Sequence, residues 1–158
     1  MQRISWRNNA IKIKPIGVIH SPFCRKEDCP HQGDKTVSRI EIFNEYSQGL
    51  RDVEGFSHLH VFYWMHESKG YTLSVMTPWD DKSHGLFAVR TPNRPNPLGY
   101  SVVELLGIDG NVLKVRGLDA IEGTPVIDIK PYVSKIDMRK DAKAGWIENR
   151  YDPDSLKF

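Results

Sequence analysis

The chain has little of what marks secreted, membrane-spanning or disulfide-stabilised proteins. Its 158 residues include only two cysteines, Cys24 and Cys29, too few for the disulfide framework of a small secreted domain. No apolar run reaches the roughly 18 residues that a membrane-spanning helix needs, and the first residues lack the apolar core of a signal peptide. We therefore expect a cytoplasmic protein with reduced thiols and no membrane span.

Several common active-site motifs are also absent. The sequence has no glycine-rich dinucleotide fingerprint, no phosphate-binding loop ending in Gly-Lys-Ser/Thr and no serine of the nucleophile-elbow type. With 22 basic and 20 acidic residues the formal net charge is +2, which permits nucleic-acid binding without arguing for it. A chain of this length is expected to form one domain, residues 1–158, whose core needs no disulfide or metal.

Short strand-like segments separated by turns make up most of the chain. The predicted strands are residues 11–20 with a kink at Pro15, 36–43, 59–65, 71–76, 86–89, 101–108, 112–118 and 126–130. The spacing of Tyr46, Leu50 and Val53 predicts a short helix. Residues 21–35 form a long polar connection, and loops of that length tend to be functional or mobile.

The strand pattern predicts the fold class. Residues 59–65 read LHVFYWM, a continuous apolar run typical of a strand buried on both faces. Asp109-Gly110 between two apolar runs predicts a tight hairpin, because such a turn needs positive φ angles. Many short strands at close spacing predict a mostly β fold, a single sheet closed into a barrel with short helices. The core should span about residues 13–132. A polar C-terminal tail, 133–158, should dock through Trp146 and Ile147 on this domain or on a partner subunit.

The stiffest stretch of the sequence lies just before the hairpin. Residues 90–100 read RTPNRPNPLGY, and their three prolines fix φ and keep the preceding residues out of the helical region. The loop presents Arg90 and Arg94, whose planar guanidinium groups suit carboxylates and phosphates. A rigid arginine loop on a β scaffold indicates an anionic or zwitterionic ligand, although turn-forming residues are also common in ordinary surface loops.

Two histidines raise the question of a metal site. His58 and His60 are two residues apart on a predicted strand, so their side chains share a face. His66 is about 20 Å further along at ~3.3 Å per residue and cannot complete a ligand set with them. Cys24, Cys29 and His31 lack zinc-finger spacing. We predict no metal site; instead, one of the paired histidines should be a satisfied core residue and the other should lie near solvent.

Four stretches together resemble one family. In order along the chain, from about Ile13 to Tyr132, they read PIGVIHSPF, GFSHLHVFYWMH, VRTPNRPNPLGYSVVEL and GLDAIEGTPVIDIKPYV. They resemble the TrmO-type tRNA methyltransferases, also called the TsaA-like or VirR-like family, with Arg-x-x-Arg-Pro-Asn-Pro-x-Gly as the densest motif. The resemblance implies a single-sheet β-barrel that binds S-adenosyl-L-methionine and forms a homodimer. It also implies N6-methylation of threonylcarbamoyl-adenosine in the anticodon loop of tRNA.

The resemblance further implies which residues contact the cofactor. Arg90 resembles the family's cofactor-contacting arginine, and Tyr100 matches a position whose backbone lies on the cofactor. In the long early loop the family's Pro-Arg-Gln is matched by Pro30, His31 and Gln32, so the charge of that arginine is replaced by a histidine here. The other matched positions are His66, Glu67, Leu118, Asp119, Ala120 and Ile121.

A second set of polar positions matches residues near the pocket mouth of the family. They are Arg94, Asn96, Asp128, Lys130 and Tyr132. Asp128 and Lys130 share a strand face that Pro131 ends, so Asp128 is either the base for the acceptor nitrogen or an ion-pair partner of Lys130. Lys130 or Arg94 could hold the threonyl carboxylate or a phosphate, and Tyr132 could stack on the splayed base.

Three other functions stay open at this point. The chain could bind S-adenosylmethionine or a related nucleoside without catalysis. It could methylate another RNA or a small molecule, since His31 and the tail lie where specificity can change. It could also be a metal-dependent enzyme built on His58 and His60, which predicts that chelators abolish activity.

Overall fold

Six strands close a barrel and two further strands form a separate hairpin. A computed structural model describes residues 10–29, 35–148 and 150. The strands are β1 (Gly17–His20), β2 (Val37–Ile42), β3 (His58–Trp64), β4 (Ser74–Thr77), β5 (Asp80–Gly85), β6 (Leu98–Asp109), β7 (Val112–Arg116) and β8 (Pro125–Pro131). The barrel order is β1-β2-β7-β6-β3-β8 with antiparallel neighbours, and β4 pairs with β5. The predicted closed barrel is therefore confirmed, with the hairpin in addition.

Helical structure in the described residues is short. One α-helical turn, α1 (Ser134–Asp137), follows the barrel, and 3-10 segments cover Lys26–Asp28, Asn44–Leu50, Val53–Gly55, Leu86–Ala88 and Gly145–Ile147. The helix predicted around Tyr46, Leu50 and Val53 is present as two of these 3-10 segments, and the three side chains pack against the core. No helix in this part of the chain is long and apolar enough to cross a membrane.

The barrel interior is filled by apolar side chains from alternate strand positions. On β3, Leu59, Val61 and Tyr63 are buried, whereas the residues between them face outward. The core also includes Ile19, Ile40, Ile42, Val103, Leu113, Val115, Leu118, Ala120 and Val126. The prediction that residues 59–65 are buried on both faces is wrong, because the side chains of a barrel strand alternate between the core and the outer wall. The outward aromatic residues of β3 are only partly covered.

Two predicted strand segments are wrong and one strand was missed. Ile11 and Ile13 are 77% and 49% exposed and lie outside any strand, because the chain joins the barrel only at Ile16, whose N–H donates to the Val126 carbonyl. Residues 86–89 hold a 3-10 turn with one buried leucine in place of a strand. The missed strand, β5, reads DDKSHG and shows no apolar alternation, so its extended form comes from pairing with β4.

The two ends of the barrel carry different connections. At one end β1, β3 and β7 finish and β2, β6 and β8 begin, as the register pairs Trp64 with Leu98 and His20 with Arg39 show. This end carries the connections 21–36, 65–97 and 117–124, and we call it the long-loop end. The opposite end carries the connection 43–57 and the predicted β6–β7 turn, where Gly110 has a φ of +59°.

Candidate functional site

Most residues that the sequence links to a cofactor lie at the long-loop end. His66 and Glu67 directly follow β3, Arg90 lies in the loop before β6, and residues 118–121 connect β7 to β8. Tyr100 is the third residue of β6, just inside the same end. His66, Glu67 and Arg90 are exposed, whereas residues 118–121 are buried or half-buried. The barrel topology thus brings together segments that are far apart in the sequence.

Backbone hydrogen bonds tie these connections to one another. The N–H of Met65 donates to the Pro97 carbonyl at 2.8 Å, which joins the segment after β3 to the proline loop. The N–H of Glu122 donates to the Phe23 carbonyl at 2.7 Å, which joins the turn before β8 to the start of the early loop. The predicted cofactor residues Pro30, His31 and Gln32 lie outside the described residues.

A buried polar network lies under this end of the barrel. One oxygen of Asp119, Oδ1, accepts hydrogen bonds from the Tyr63 hydroxyl at 2.5 Å and from the Ser101 hydroxyl at 2.6 Å. Burial raises the pKa of Asp119 above its ordinary value, while these two hydrogen bonds and the nearby charge of Arg90 act in the opposite direction. The sequence match named Asp119, but Tyr63 and Ser101 were missed, because both look like ordinary inward strand residues.

The proline loop is braced by one of its own arginines. Nη1 of Arg94 donates to the carbonyls of Val89 at 2.9 Å and Leu86 at 3.3 Å, and its guanidinium lies 5.7 Å from the centre of the Phe87 ring. The carbonyl of Asn96 accepts a hydrogen bond from the N–H of the first β6 residue at 2.7 Å. In the structure Arg94 therefore holds the loop in shape, and its role toward a substrate stays a prediction.

Asp128 and Lys130 lie on the outer wall of the barrel, on β8. In register they face Phe62 and His60 of β3. Lys130 Nζ lies 2.5 Å from Asp128 Oδ2, and Asp128 Oδ1 accepts a hydrogen bond from the Ile129 N–H at 3.0 Å. The ion pair that the sequence left as one alternative is present, and both carboxylate oxygens have partners. A catalytic role for Asp128 stays a prediction.

His60 is the centre of a cluster that sequence reasoning missed. Its Nδ1 lies 2.9 Å from the Tyr100 hydroxyl and its Nε2 lies 3.1 Å from a carboxylate oxygen of Asp137. Its ring stacks on Tyr100 with centroids 5.7 Å apart and is tilted against Tyr132 at 5.3 Å, while Phe62 lies 5.3 Å from Tyr100. We call these five residues the outer-wall cluster. The aromatic residues at every second position of β3 were the signal that could have revealed it.

The second histidine of the pair is exposed. His58 Nδ1 lies 2.9 Å from the Ser57 hydroxyl, and its carbonyl accepts the Tyr132 N–H at 3.0 Å. Within the described ranges, no group of three or more His, Cys, Asp or Glu side chains is placed to hold a metal ion. Cys24 is an exposed thiol.

The C-terminal tail docks on its own chain. The Trp146 ring stacks on His84 of β5 with centroids 3.8 Å apart, and its indole N–H donates to the Ala88 carbonyl at 2.9 Å. His84 in turn lies 3.1 Å from Asp80, which also contacts Arg150. The sequence left open whether Trp146 docks on this domain or on a partner subunit. In the structure it docks on this domain, against the β4–β5 hairpin and the segment that leads to the proline loop.

Comparisons with known proteins agree with this architecture. The family model for the tRNA-methyltransferase O N-terminal domain matches residues 18–138. A relative from Archaeoglobus fulgidus, named "Probable S-adenosyl-L-methionine-binding protein", is 51% identical over 140 residues, which are 87% of this chain and 38% of that protein. The tRNA (adenine(37)-N6)-methyltransferase of Escherichia coli is 34% identical over 154 residues, covering 89% of this chain and 66% of that enzyme.

The solved structures give the same result. The crystal structure of TrmO from Pseudomonas aeruginosa superimposes with a TM-score of 0.73 at 31% identity, over 87% of this chain and 63% of that one. The chain thus spans less than two thirds of the length of several proteins that it matches. The matched residues, 18–138, include seven of the eight strands in full, β1 without its first residue, and all of α1. The chain therefore belongs to the tRNA-methyltransferase O N-terminal domain family, the TrmO-type family that its motifs resemble.

Proposed function

We propose that the chain is an S-adenosylmethionine-dependent methyltransferase that methylates N6 of threonylcarbamoyl-adenosine beside the tRNA anticodon, in the cytoplasm. The observation that carries the proposal is the convergence of Arg90, His66, Glu67 and residues 118–121 at one barrel end. Support also comes from relatives named as tRNA (adenine(37)-N6)-methyltransferases and as S-adenosyl-L-methionine-binding proteins.

The residues at the long-loop end fit such a cofactor chemically. Arg90 offers a fork of donors to a carboxylate, and the buried carboxyl group of Asp119 lies close enough to Arg90 to feel its charge. Leu118 and Ala120 present an apolar lining beneath the same end, being 0% and 4% exposed. When bound, S-adenosylmethionine supplies a methyl group on a positively charged sulfur. The protein would supply alignment, since an in-line displacement depends on the geometry of the reacting atoms.

The substrate side of the site is proposed to be the outer wall. Lys130 is 61% exposed at its side chain and could exchange its contact with Asp128 for the threonyl carboxylate. Tyr132 offers a half-buried ring to a splayed base of single-stranded RNA. Arg94 and Asn96 would act by shaping the loop between this wall and the cofactor end.

We also propose that the active protein is a homodimer, in which Lys130 of one chain meets the Arg90 loop of the other. Lys130 lies opposite His60, five residues before Met65 on the adjacent strand, or about 16 Å from the long-loop end at ~3.3 Å per residue. The wall also exposes Leu98 and Val102, at 43% and 40%. A second copy that covers this apolar surface could place its outer wall beside the partner's Arg90 loop.

Mixing two inactive variants tests the dimer. If sites are shared, Arg90→Ala and Lys130→Ala proteins each lose most of their activity at limiting cofactor and tRNA, and a refolded one-to-one mixture regains about a quarter of the wild-type rate from its mixed dimers. Light scattering should give a dimer mass for both variants. A monomer mass, or a mixture as inactive as its components, contradicts a shared site.

The decisive test of the reaction uses labelled S-adenosylmethionine and tRNA with and without the threonylcarbamoyl group, followed by mass analysis of the nucleosides. Methyl label should appear only in the threonylcarbamoyl-modified nucleoside. Label in another nucleoside would assign a different RNA substrate. Tight cofactor binding without transfer to any RNA would favour a non-catalytic binding protein, the reading that the names of the archaeal relatives suggest.

The role of Asp128 is tested separately. Asp128→Asn keeps the shape of the side chain but weakens its capacity to accept a proton and its attraction to Lys130. If Asp128 is the base, single-turnover methylation falls by about 10²–10⁴-fold while cofactor affinity stays within twofold. If it serves only the ion pair, the rate per folded molecule is unchanged and the melting temperature falls slightly, since the pair is largely exposed.

A further inference from the structure

A chain of hydrogen bonds crosses the outer-wall cluster from Tyr100 to Asp137. The Tyr100 hydroxyl lies 2.9 Å from His60 Nδ1, and His60 Nε2 lies 3.1 Å from Asp137 Oδ2. The same carboxylate oxygen accepts the N–H of Val133 at 2.7 Å, which holds it in place across α1. Because an ionised carboxylate can only accept, the neutral imidazole carries its proton on Nε2, and Nδ1 then accepts the hydroxyl proton of Tyr100.

The environment of the imidazole favours this arrangement. The side chain of His60 is only 13% exposed and that of Asp137 is 26% exposed. The Tyr100 and Tyr132 rings cover two sides of the imidazole. The hydrogen bonds from Val133 and His60 lower the pKa of Asp137, so that it remains a carboxylate facing the ring. A hydroxyl, an imidazole and a carboxylate in this order form a path along which one proton can move.

The path lies beside the residues already proposed to meet the substrate. Tyr100 and Asp128 face opposite sides of Phe62 in the strand register, so they occupy one row of the wall, about 10 Å apart at ~4.8 Å per strand. Tyr100 is also two residues from Leu98, where β6 leaves the long-loop end. The carboxylate oxygens of Asp128 are both engaged, whereas the imidazole gives the Tyr100 hydroxyl a place to send its proton.

We infer that the Tyr100 hydroxyl, backed by His60 and Asp137, accepts the proton that the substrate nitrogen loses during methyl transfer. This inference rests on the proposed methyltransferase function. The nitrogen forms the new N–C bond with its lone pair, and the electron pair of the broken methyl–sulfur bond stays on sulfur. The N–H proton passes to Tyr100 Oη as the proton of that hydroxyl passes to His60 Nδ1. The imidazolium that forms faces the Asp137 carboxylate and later releases a proton to water.

The test compares three variants with a matched control in single-turnover methylation of threonylcarbamoyl-tRNA. Tyr100→Phe removes the hydroxyl, His60→Phe keeps a ring but removes both nitrogens, and Asp137→Asn removes the charge that fixes the tautomer. Each should slow the methyl transfer by about 10²–10⁴-fold while cofactor and tRNA affinities stay within twofold. The control, His58→Phe, changes an exposed histidine on the same strand and face, and should transfer methyl at the wild-type rate.

A second readout needs no reaction. Nitrogen NMR of the free protein should show His60 with a proton on Nε2 and none on Nδ1, and Tyr100→Phe should shift the Nδ1 resonance. The opposite tautomer overturns the inference. Folded variants that keep wild-type rates, or that lose only RNA affinity, also overturn it and leave the proposed function intact. A wild-type protein that methylates no RNA refutes both.

Discussion

Gly99 gives the sharpest prediction about how the site is built. It lies opposite Tyr63 in the β3–β6 register, and a Cβ added there would be 2.5 Å from Cζ of the Tyr63 ring and closer still to two other ring carbons. The ring is 3% exposed, and its hydroxyl is bonded to Ser101 and Asp119. It therefore cannot move aside without breaking the buried network.

Gly99→Ala should lower the free energy of unfolding in two ways, by overpacking the site and by breaking a hydrogen bond of the Tyr63 hydroxyl. Overpacking a filled site costs about 1–3 kcal/mol, and losing a hydrogen bond to a charged group costs about 1.5–3 kcal/mol. The free energy of unfolding should therefore fall by about 3–5 kcal/mol, which for a chain of this size lowers the melting temperature by roughly 6–20 °C. That is a large share of the 5–15 kcal/mol by which domains are usually stable.

Thermal and urea unfolding followed by circular dichroism measure the loss. Gly107→Ala is the matched control, because Gly107 lies on the same strand and an added Cβ there meets nothing within 4 Å. The control should stay within about 1 kcal/mol of the wild type. Equal midpoints for the two variants would show that the Tyr63 ring is free to shift, and the network beneath the long-loop end would then not be rigid.

Three further outcomes follow from single contacts. Arg90→Ala should weaken cofactor binding by about 1.5–3 kcal/mol in calorimetry, and Arg90→Lys should recover only part of it; unchanged affinity in the folded alanine variant removes Arg90 from the site. Trp146→Phe keeps a ring but loses the indole donor, so the urea midpoint should fall by the equivalent of about 0.5–1.5 kcal/mol; an unchanged midpoint would show that the tail leaves this surface in solution. Hydrogen bonds to Glu41 and Glu122 raise the pKa of His20 above its ordinary value of 6.5. Protonated His20 therefore stabilises the fold below that ordinary pKa, and the stabilisation is lost as the pH rises through the pKa of the folded state. Urea midpoints across that range should show a pH dependence that His20→Gln reduces, and identical profiles would contradict it.

The sequence predicted the barrel because its strands are apolar at every second position and because turn residues separate them. It failed where apolar residues serve another purpose, as at Ile11, which is exposed, and at Leu86, which fills the core from a 3-10 turn. It also failed for β5, whose polar residues become a strand only through pairing. Periodicity reports which face a side chain occupies but not which strand lies beside it.

The candidate site shows the same limit. Motifs pointed to Arg90 and Asp128, since both lie in dense, family-specific stretches. The link from His60 to Tyr100 depends on β3 and β6 being neighbours, and the link to Asp137 depends on how the chain turns after β8. Neither can be inferred from spacing, because the partners are brought together by the closure of the barrel and by the path of the segment that follows it.

Closure of the barrel also determines where a strand from another molecule can add to a sheet of this protein. Each of the six ring strands pairs with a neighbour on both sides over at least part of its length, whereas β4 and β5 each pair on one side only, so the risk of edge-to-edge aggregation is greatest at the small β4–β5 sheet. That hairpin is short. Pro78 and Trp79 connect its two strands, and Asp81 and Lys82 of β5 are exposed. Proline and charge at the rim of a sheet disfavour the docking of another chain. The polar composition that hid β5 from sequence reasoning is thus also its protection against adding strands from neighbouring molecules.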